Sequence, residues 1–159
     1  MISIEKYAPS DFDALTVMIG RLQEFERQFA PDLKPASVVA DAYARELTDI
    51  ACGERGEILI ARDDARIIGC IAAYLREDDD PCLQEDDRIY GHVCDLYVDE
   101  FWRMRGVGRL LLTAIEEQMR QRLGGGSLRA TAKTLNAAAV SCLADSGFGP
   151  KKVVMSKAL

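Results

Sequence analysis

The residues that most clearly could do chemistry lie between His92 and Arg109, in the run His-Val-Cys-Asp-Leu-Tyr-Val-Asp-Glu-Phe-Trp-Arg-Met-Arg-Gly-Val-Gly-Arg. A strand-like stretch ends at Val98 and a helical period begins near Gly106. Between them stands Arg103-x-x-Gly106-x-Gly108. The first turn of a helix offers N–H groups with no internal partner, and the macrodipole is positive there. Such an end holds a phosphate or pyrophosphate. Glycine leaves room for the backbone to approach the anion, and Arg103, Arg105 and Arg109 add positive charge. A Walker A loop is excluded, because no Gly-Lys-Ser/Thr follows the glycines. A Rossmann fingerprint needs a small residue where Leu111 stands. Two further residues invite attention. His92 is the single histidine, with an ordinary pKa of about 6.5 suited to proton relay. Asp95 is an acid in an apolar strand and needs a reason to be there.

The elements that must position these residues follow from periodicity. Residues 2–7 alternate as a strand. Pro9 and Asp11 introduce a helix that Ser10 caps, with Asp13 as its capping-box partner. Its apolar face is Phe12, Leu15, Ile19, Leu22, Phe25 and Phe29. A second helix spans residues 37–50. Strands are expected at 57–62, 66–75 and 89–98, with an acidic loop at 77–87 between the last two. An amphipathic helix covers 106–123 and ends at Gly124-Gly125-Gly126, where glycine accepts the left-handed C-cap. Then come a strand at 127–132, a helix at 136–146 closed by Gly147, and a final strand at 151–156. The order β-α-α-β-β-β-α-β-α-β predicts an α+β fold, a mixed and mostly antiparallel sheet with helices on both faces. Strict alternation puts His92, Cys94, Leu96 and Val98 on one face of their strand and Asp95 and Tyr97 on the other. The two candidate proton carriers then share a face only if a bulge intervenes.

Bulk properties narrow the function classes. The 159 residues fit one domain spanning 1–159, and 48% hydrophobic with 29% charged residues is a globular composition. No apolar run approaches the ~18–20 residues a membrane span needs. The opening residues lack the pattern of a signal peptide, so a cytoplasmic protein is expected, with no membrane partner. Net charge is −6 and pI about 4.9, which disfavours nucleic acid and favours a cationic partner. Cys52, Cys70, Cys82, Cys94 and Cys142 form no C-x-x-C pair; they read as reduced, mostly buried thiols, and no metal site is expected.

Arg103-x-x-Gly106-x-Gly108 resembles the acetyl-CoA signature Q/R-x-x-G-x-G/A of the GNAT superfamily. Asp95-Leu96-Tyr97-Val98 resembles the strand before that loop. Asn136-x-x-Ala139 followed by Gly147-Phe148 resembles the family's second segment. The element order matches the family fold from end to end. The resemblance implies a V-shaped slot between splayed strands that takes acetyl-CoA as co-substrate. It places the pantetheine arm along Leu96, Tyr97 and Val98. The pyrophosphate falls on the amides of Arg103, Met104, Arg105, Gly106, Val107, Gly108 and Arg109. Asn136 lies near the pantetheine, where the residue type alone also reads as a helix N-cap.

The resemblance further implies direct attack of an amine on the thioester in a ternary complex. An alkylamine with a pKa of about 10 must first lose a proton, which calls for a base or a water chain. His92 and Asp95 are the candidates. An N–H near Val98 is expected to stabilise the oxyanion. Many relatives place a tyrosine seven residues after the asparagine as general acid; here Leu143 stands there. A thiolate with a pKa near 8.5 can leave with little help, through water or with Ser141 or Cys142 as donor. The first two helices usually wall the acceptor site, which makes Glu24, Glu26 and Tyr43 substrate-binding candidates. The expected acceptor is a small, cationic primary amine. Protein N-termini or lysines are an alternative, as is an acyl-CoA-binding module without turnover. A homodimer is common in the family.

Overall fold

The computed structural model describes residues 1–157 apart from Cys52 and Glu54. Strand β1 (Ile2–Lys6) leads through a 3-10 turn into helices α1 (Phe12–Glu26) and α2 (Ala36–Ala51). Strands β2 (Gly56–Asp63) and β3 (Arg66–Glu77) form a hairpin. A single turn of helix, α3 (Glu85–Arg88), interrupts the acidic connection to β4 (Ile89–Val98). Helix α4 (Val107–Leu123), strand β5 (Leu128–Ala130) and helix α5 (Ala137–Asp145) complete the order. The sheet runs β1-β2-β3-β4-β5. Its first three pairings are antiparallel and β4–β5 is parallel.

Period-two burial assigns the helices to faces. Leu59, Ala61, Ile71, Ala73 and Val93 pack with Val107, Leu111, Leu112, Ile115 and Met119 of α4. Ile58, Ile60, Cys70, Ala72 and Tyr97 pack with Leu15, Met18 and Ile19 of α1 and with Leu47 and Ala51 of α2. The mixed, mostly antiparallel sheet with helices on both sides is the expected α+β architecture.

Three local expectations are corrected. Residues 151–156 form no strand; the segment runs exposed after α5. The start of α1 is not organised by Ser10 and Asp13. Asp11 does this work: its Oδ2 accepts from Ala8 N at 3.1 Å and its Oδ1 from Arg62 Nη2 at 2.6 Å. A buried carboxylate with an arginine partner is a firmer anchor than an exposed serine. Among the thiols, Cys70 is buried, Cys94 and Cys142 are half-buried and Cys82 is exposed, in the acidic connection; Cys52 lies outside the described residues. The Gly124 cap is left-handed as expected, at φ 66°.

One irregularity positions the site. Ala73 stands opposite Val93, yet Ala72 stands opposite Asp95. Cys94 is therefore an extra residue, a bulge that reverses the alternation beyond it. Val93, Leu96 and Val98 belong to the α4 face. His92, opposite Tyr74, comes onto the same face as Asp95 and Tyr97, the side of α1 and α2.

Candidate active site

The backbone between β4 and α4 is organised by Asp99. Its Oδ1 accepts from Phe101 N at 3.2 Å, and its Oδ2 faces Arg21 at 3.5 Å and Arg66 at 3.6 Å. After a 3-10 turn (Glu100–Trp102) the chain enters left-handed conformation at Met104 (φ 58°) and again at Gly106 (φ 82°). The two glycines then answer different demands. A Cβ on Gly106 would meet nothing within 4 Å, so Gly106 supplies the positive φ. A Cβ on Gly108 would lie 3.1 Å from Cys142 Sγ, so Gly108 lets α5 approach α4.

Leu110 N donates to Gly106 O at 3.0 Å, the first bond of α4. The amides of Val107, Gly108 and Arg109 precede it and have no carbonyl within the helix. No side chain among the described residues caps that end. The arginines spread around it. Arg103 Nε donates to Val98 O at 3.0 Å and its guanidinium lies over the Phe25 ring at 5.1 Å. Arg105 lies over Trp102 at 5.5 Å, and Arg109 is exposed.

The sheet opens next to this turn. Pairing of β4 with β5 runs from Gly91–Leu128 to Val93–Ala130 and stops. Asp99 N donates to Ile68 O on the β3 side. Strand alternation then turns the backbone groups of Leu96 and Val98 away from β3, toward the open edge. Asn136, which is buried, caps α5: its Oδ1 accepts from Ala139 N at 3.1 Å.

On the other side of β4, Asp95 lies at a cleft of about 530 Å³ between α1 and α2. Tyr43 of α2 donates to Asp95 Oδ2 at 2.7 Å. Burial raises the Asp95 pKa above the ordinary carboxylate value, against the hydrogen bonds from Tyr43 and Cys94. Glu26, Asp32, Glu46 and Lys34 also line the cleft. Burial raises the Glu26 pKa as well; Lys133 opposes the rise and Asp95 adds to it.

Of the substrate-binding candidates, Glu26 and Tyr43 line this cleft and Glu24 does not. Glu24 instead accepts from Ala36 N at 2.6 Å and pairs with Arg27 at 2.9 Å, tying α1 to the start of α2. His92 stands edge-on to Tyr74 at 5.6 Å, half-buried, and is absent from the cleft lining. Burial and then Arg76 lower its pKa, which keeps the imidazole neutral at neutral pH. Sequence reasoning missed Asp32, Lys34 and Glu46. Glu46 was within reach, since it falls one turn after Tyr43 on the same helix face. Ser141 is exposed beside Asp145 at 3.5 Å, while Leu143 packs at the rim of the α4 core.

The model of the acetyltransferase (GNAT) family matches residues 21–148, from within α1 to Phe148. The chain belongs to this family. It is thus a GNAT acetyltransferase with acetyl-CoA as donor. Solved structures share the fold at low identity. A tetramutant of the BH1408 protein from Bacillus halodurans is 19% identical, with 99% of each chain covered and a TM-score of 0.86. A predicted acetyltransferase from Clostridium acetobutylicum, solved with acetyl-CoA, is 15% identical, covering 99% of this chain and 96% of that one at a TM-score of 0.78. Aminoglycoside N-acetyltransferase AAC(6')-Iy, solved with CoA, is 17% identical, covering 100% and 95% at 0.72. The acetyltransferase's own backbone suits an extended anionic donor: among the described residues, uncapped amides open α4, nothing crowds Gly106, and the neighbouring strand edge pairs with no strand beyond Val93. No helix among the described residues is long and apolar enough to cross a membrane.

Proposed function

We propose that this acetyltransferase acetylates a primary amine on a small, cationic molecule, with donor and acceptor bound together on opposite sides of β4. The observation that carries this reading is Asp95 at an acidic cleft, one residue before Leu96, whose backbone faces the open edge. A short strand segment thereby serves both partners. The cleft residues Glu26, Asp32, Glu46 and Asp95 outnumber Lys34, a balance that attracts an ammonium group. That AAC(6')-Iy acts on aminoglycosides agrees with an amine acceptor.

The donor brings an activated thioester, and the protein supplies position and proton management. Main-chain amides of residues 104–109 hold the pyrophosphate; the expected Arg103 amide is already bonded to Glu100 O. Leu96 holds the pantetheine arm by its backbone, with Asn136 beside it; the expected Tyr97 contact falls away because its peptide groups face β3, and the Val98 carbonyl is taken by Arg103. Asp95 takes the amine proton, because it lies at the cleft and its raised pKa brings it nearer to the amine. His92, on the same face, is the second proton carrier and acts through solvent. Val98 N–H faces the edge where charge develops on the carbonyl oxygen. With Leu143 in place of a hydroxyl, the thiolate departs without a side-chain acid.

Thiol release followed with acetyl-CoA and a panel of mono-, di- and polyamines, neutral amines and basic peptides tests the reading. Turnover greatest with small polycations is expected. Turnover confined to peptides shifts the acceptor to proteins, and CoA binding without thiol release on any acceptor sinks the proposal.

A further inference from the structure

Asp95 stands on β4 among groups that give a negative charge little support. From α1 the cleft receives Glu26, from α2 Glu46, and from the connection between them Asp32. On β3, burial first and the Asp95 charge after it raise the pKa values of the Cys70 thiol and the Tyr74 phenol. His92, earlier on β4, is neutral at neutral pH. Lys34 lines the cleft and Lys133 faces Glu26, but among the described residues no cation pairs with Asp95. An acid so placed keeps its charge by hydrogen bonds.

The strongest of these comes from Tyr43. Its hydroxyl donates to Asp95 Oδ2 at 2.7 Å, across 52 positions of sequence. The ring packs against the core that holds α1 and α2 on the sheet, and Leu47, one turn further along α2, is fully buried there. The hydroxyl therefore reaches Asp95 from a fixed direction. The Cys94 thiol is a weaker donor and is turned to Ala72 O at 3.3 Å. Burial, with the Asp95 charge next, raises the Tyr43 pKa far above its ordinary value. The phenol stays a donor and cannot itself take a proton from the amine.

We propose that Tyr43 is a positioning residue for the acetyl transfer: it holds Asp95 by Oδ2 and leaves Oδ1 to meet the acceptor's nitrogen, rather than binding the acceptor itself. This rests on Asp95 as the base. The acceptor's ammonium gives one proton to Oδ1, and the electron pair freed on nitrogen attacks the thioester carbon; Tyr43 keeps its own proton throughout. A hydrogen bond given to the ionised form favours that form, so Tyr43 lowers the pH at which Asp95 becomes a base. Tyr43 rides on α2, which also walls the cleft through Val38, Val39 and Ala42. The seat of α2 and the readiness of the base are thereby linked.

The pH profile of kcat/KM for the acceptor, measured on the unaltered enzyme, Tyr43→Phe and Asp95→Asn, tests this. Tyr43→Phe should move the ascending limb up by about one to two pH units, the worth of a hydrogen bond to a charged group. Below the limb the rate should fall by about ten- to hundredfold, and above the shifted limb it should return to nearly that of the unaltered enzyme. The KM for acetyl-CoA should not move. Deprotonation of the acceptor itself is common to all three proteins. A limb that disappears in Asp95→Asn but stays put in Tyr43→Phe overturns this proposal alone, and a higher acceptor KM at every pH then marks Tyr43 as a binding residue. A limb that survives in Asp95→Asn overturns the base reading, and this proposal with it. Carbon-13 spectra of the aspartate carboxyls read the same shift without turnover: Asp95 should titrate higher in Tyr43→Phe. Should that variant fail to fold, 3-fluorotyrosine at position 43 is a stronger donor of nearly the same shape and should move the limb down. A limb it leaves unmoved overturns the proposal.

Discussion

The two sides of β4 offer different materials to the two proposed sites. Toward α4 the site is main chain: uncapped amides of Val107, Gly108 and Arg109, a left-handed Gly106 and an unpaired strand edge. Toward α1 and α2 it is side chain: Asp95, Tyr43, Glu26, Glu46 and Asp32 around a cleft. A backbone site tolerates many side chains but few changes of conformation. A side-chain site tolerates drift of the backbone but depends on the charge of each member. Substitutions on the two sides should therefore fail in different ways.

The sharpest separation comes at Asp95. Asp95→Asn keeps an acceptor for the Tyr43 hydroxyl but removes the carboxylate. Turnover is expected to fall by roughly 10²–10⁴-fold, the range for loss of a general base, with acetyl-CoA affinity unchanged by calorimetry. His92→Ala should cost less, since His92 does not line the cleft. Rates that fall far more for His92→Ala than for Asp95→Asn reverse the assignment.

On the other side the glycines divide the effect between function and stability. Gly106→Val puts a β-branched residue at φ 82°, a strain of about 1–2 kcal/mol, and disturbs the amides that follow. The KM for acetyl-CoA should rise about tenfold. Gly108→Val drives a side chain toward Cys142 Sγ, which costs about 1–3 kcal/mol of packing. Its main reading is a lower melting temperature. If both variants alter only stability, the amides at the start of α4 do not hold the donor.

A smaller effect is expected at Glu26. Glu26→Gln removes one of several cleft carboxylates without changing shape. The KM for a polycationic acceptor should rise several-fold, on the order of 1 kcal/mol for a partly exposed charge pair, and the KM for a neutral amine should not move. Equal changes for both acceptors mean that Glu26 holds the cleft's shape rather than its charge.

The same contrast governs what could be read from the sequence. Glycine spacing reports backbone conformation directly, so the turn at residues 103–109 and the helix after it were legible. Asn136 was legible as a cap for the same reason. The cleft was not, because side-chain direction depends on long-range packing. The Cys94 bulge reverses the facing of half a strand, and its cause lies in the register with β3, which local pattern does not encode. Glu24 and Glu26 are two residues apart on one helix, yet one caps α2 and the other lines the cleft. Residues 151–156 carry a strand's pattern but pair with no strand among the described residues. Propensity describes what a segment can do, and the sheet edge decides whether it does so.

The least effect, and the most diagnostic of the buried charge, concerns pH. Asp95 has a raised pKa in the folded chain, from burial first. Between its unfolded value, about 3.9, and its folded one, the native state binds more protons than the unfolded state. Stability then decreases as pH rises through that window. Activity should move the opposite way, because the proposed base works only when ionised, and kcat/KM should climb as pH passes the raised value. Asp95→Asn has no proton to exchange, so its melting temperature should lose that component of pH dependence. Melting curves of both proteins across pH 4–8, set against the rate profile of the unaltered enzyme, separate the cases. Parallel loss of stability in both proteins would show that Asp95 is ionised at little cost in the fold, as a carboxylate with adequate partners, and would remove the physical basis for its service as base.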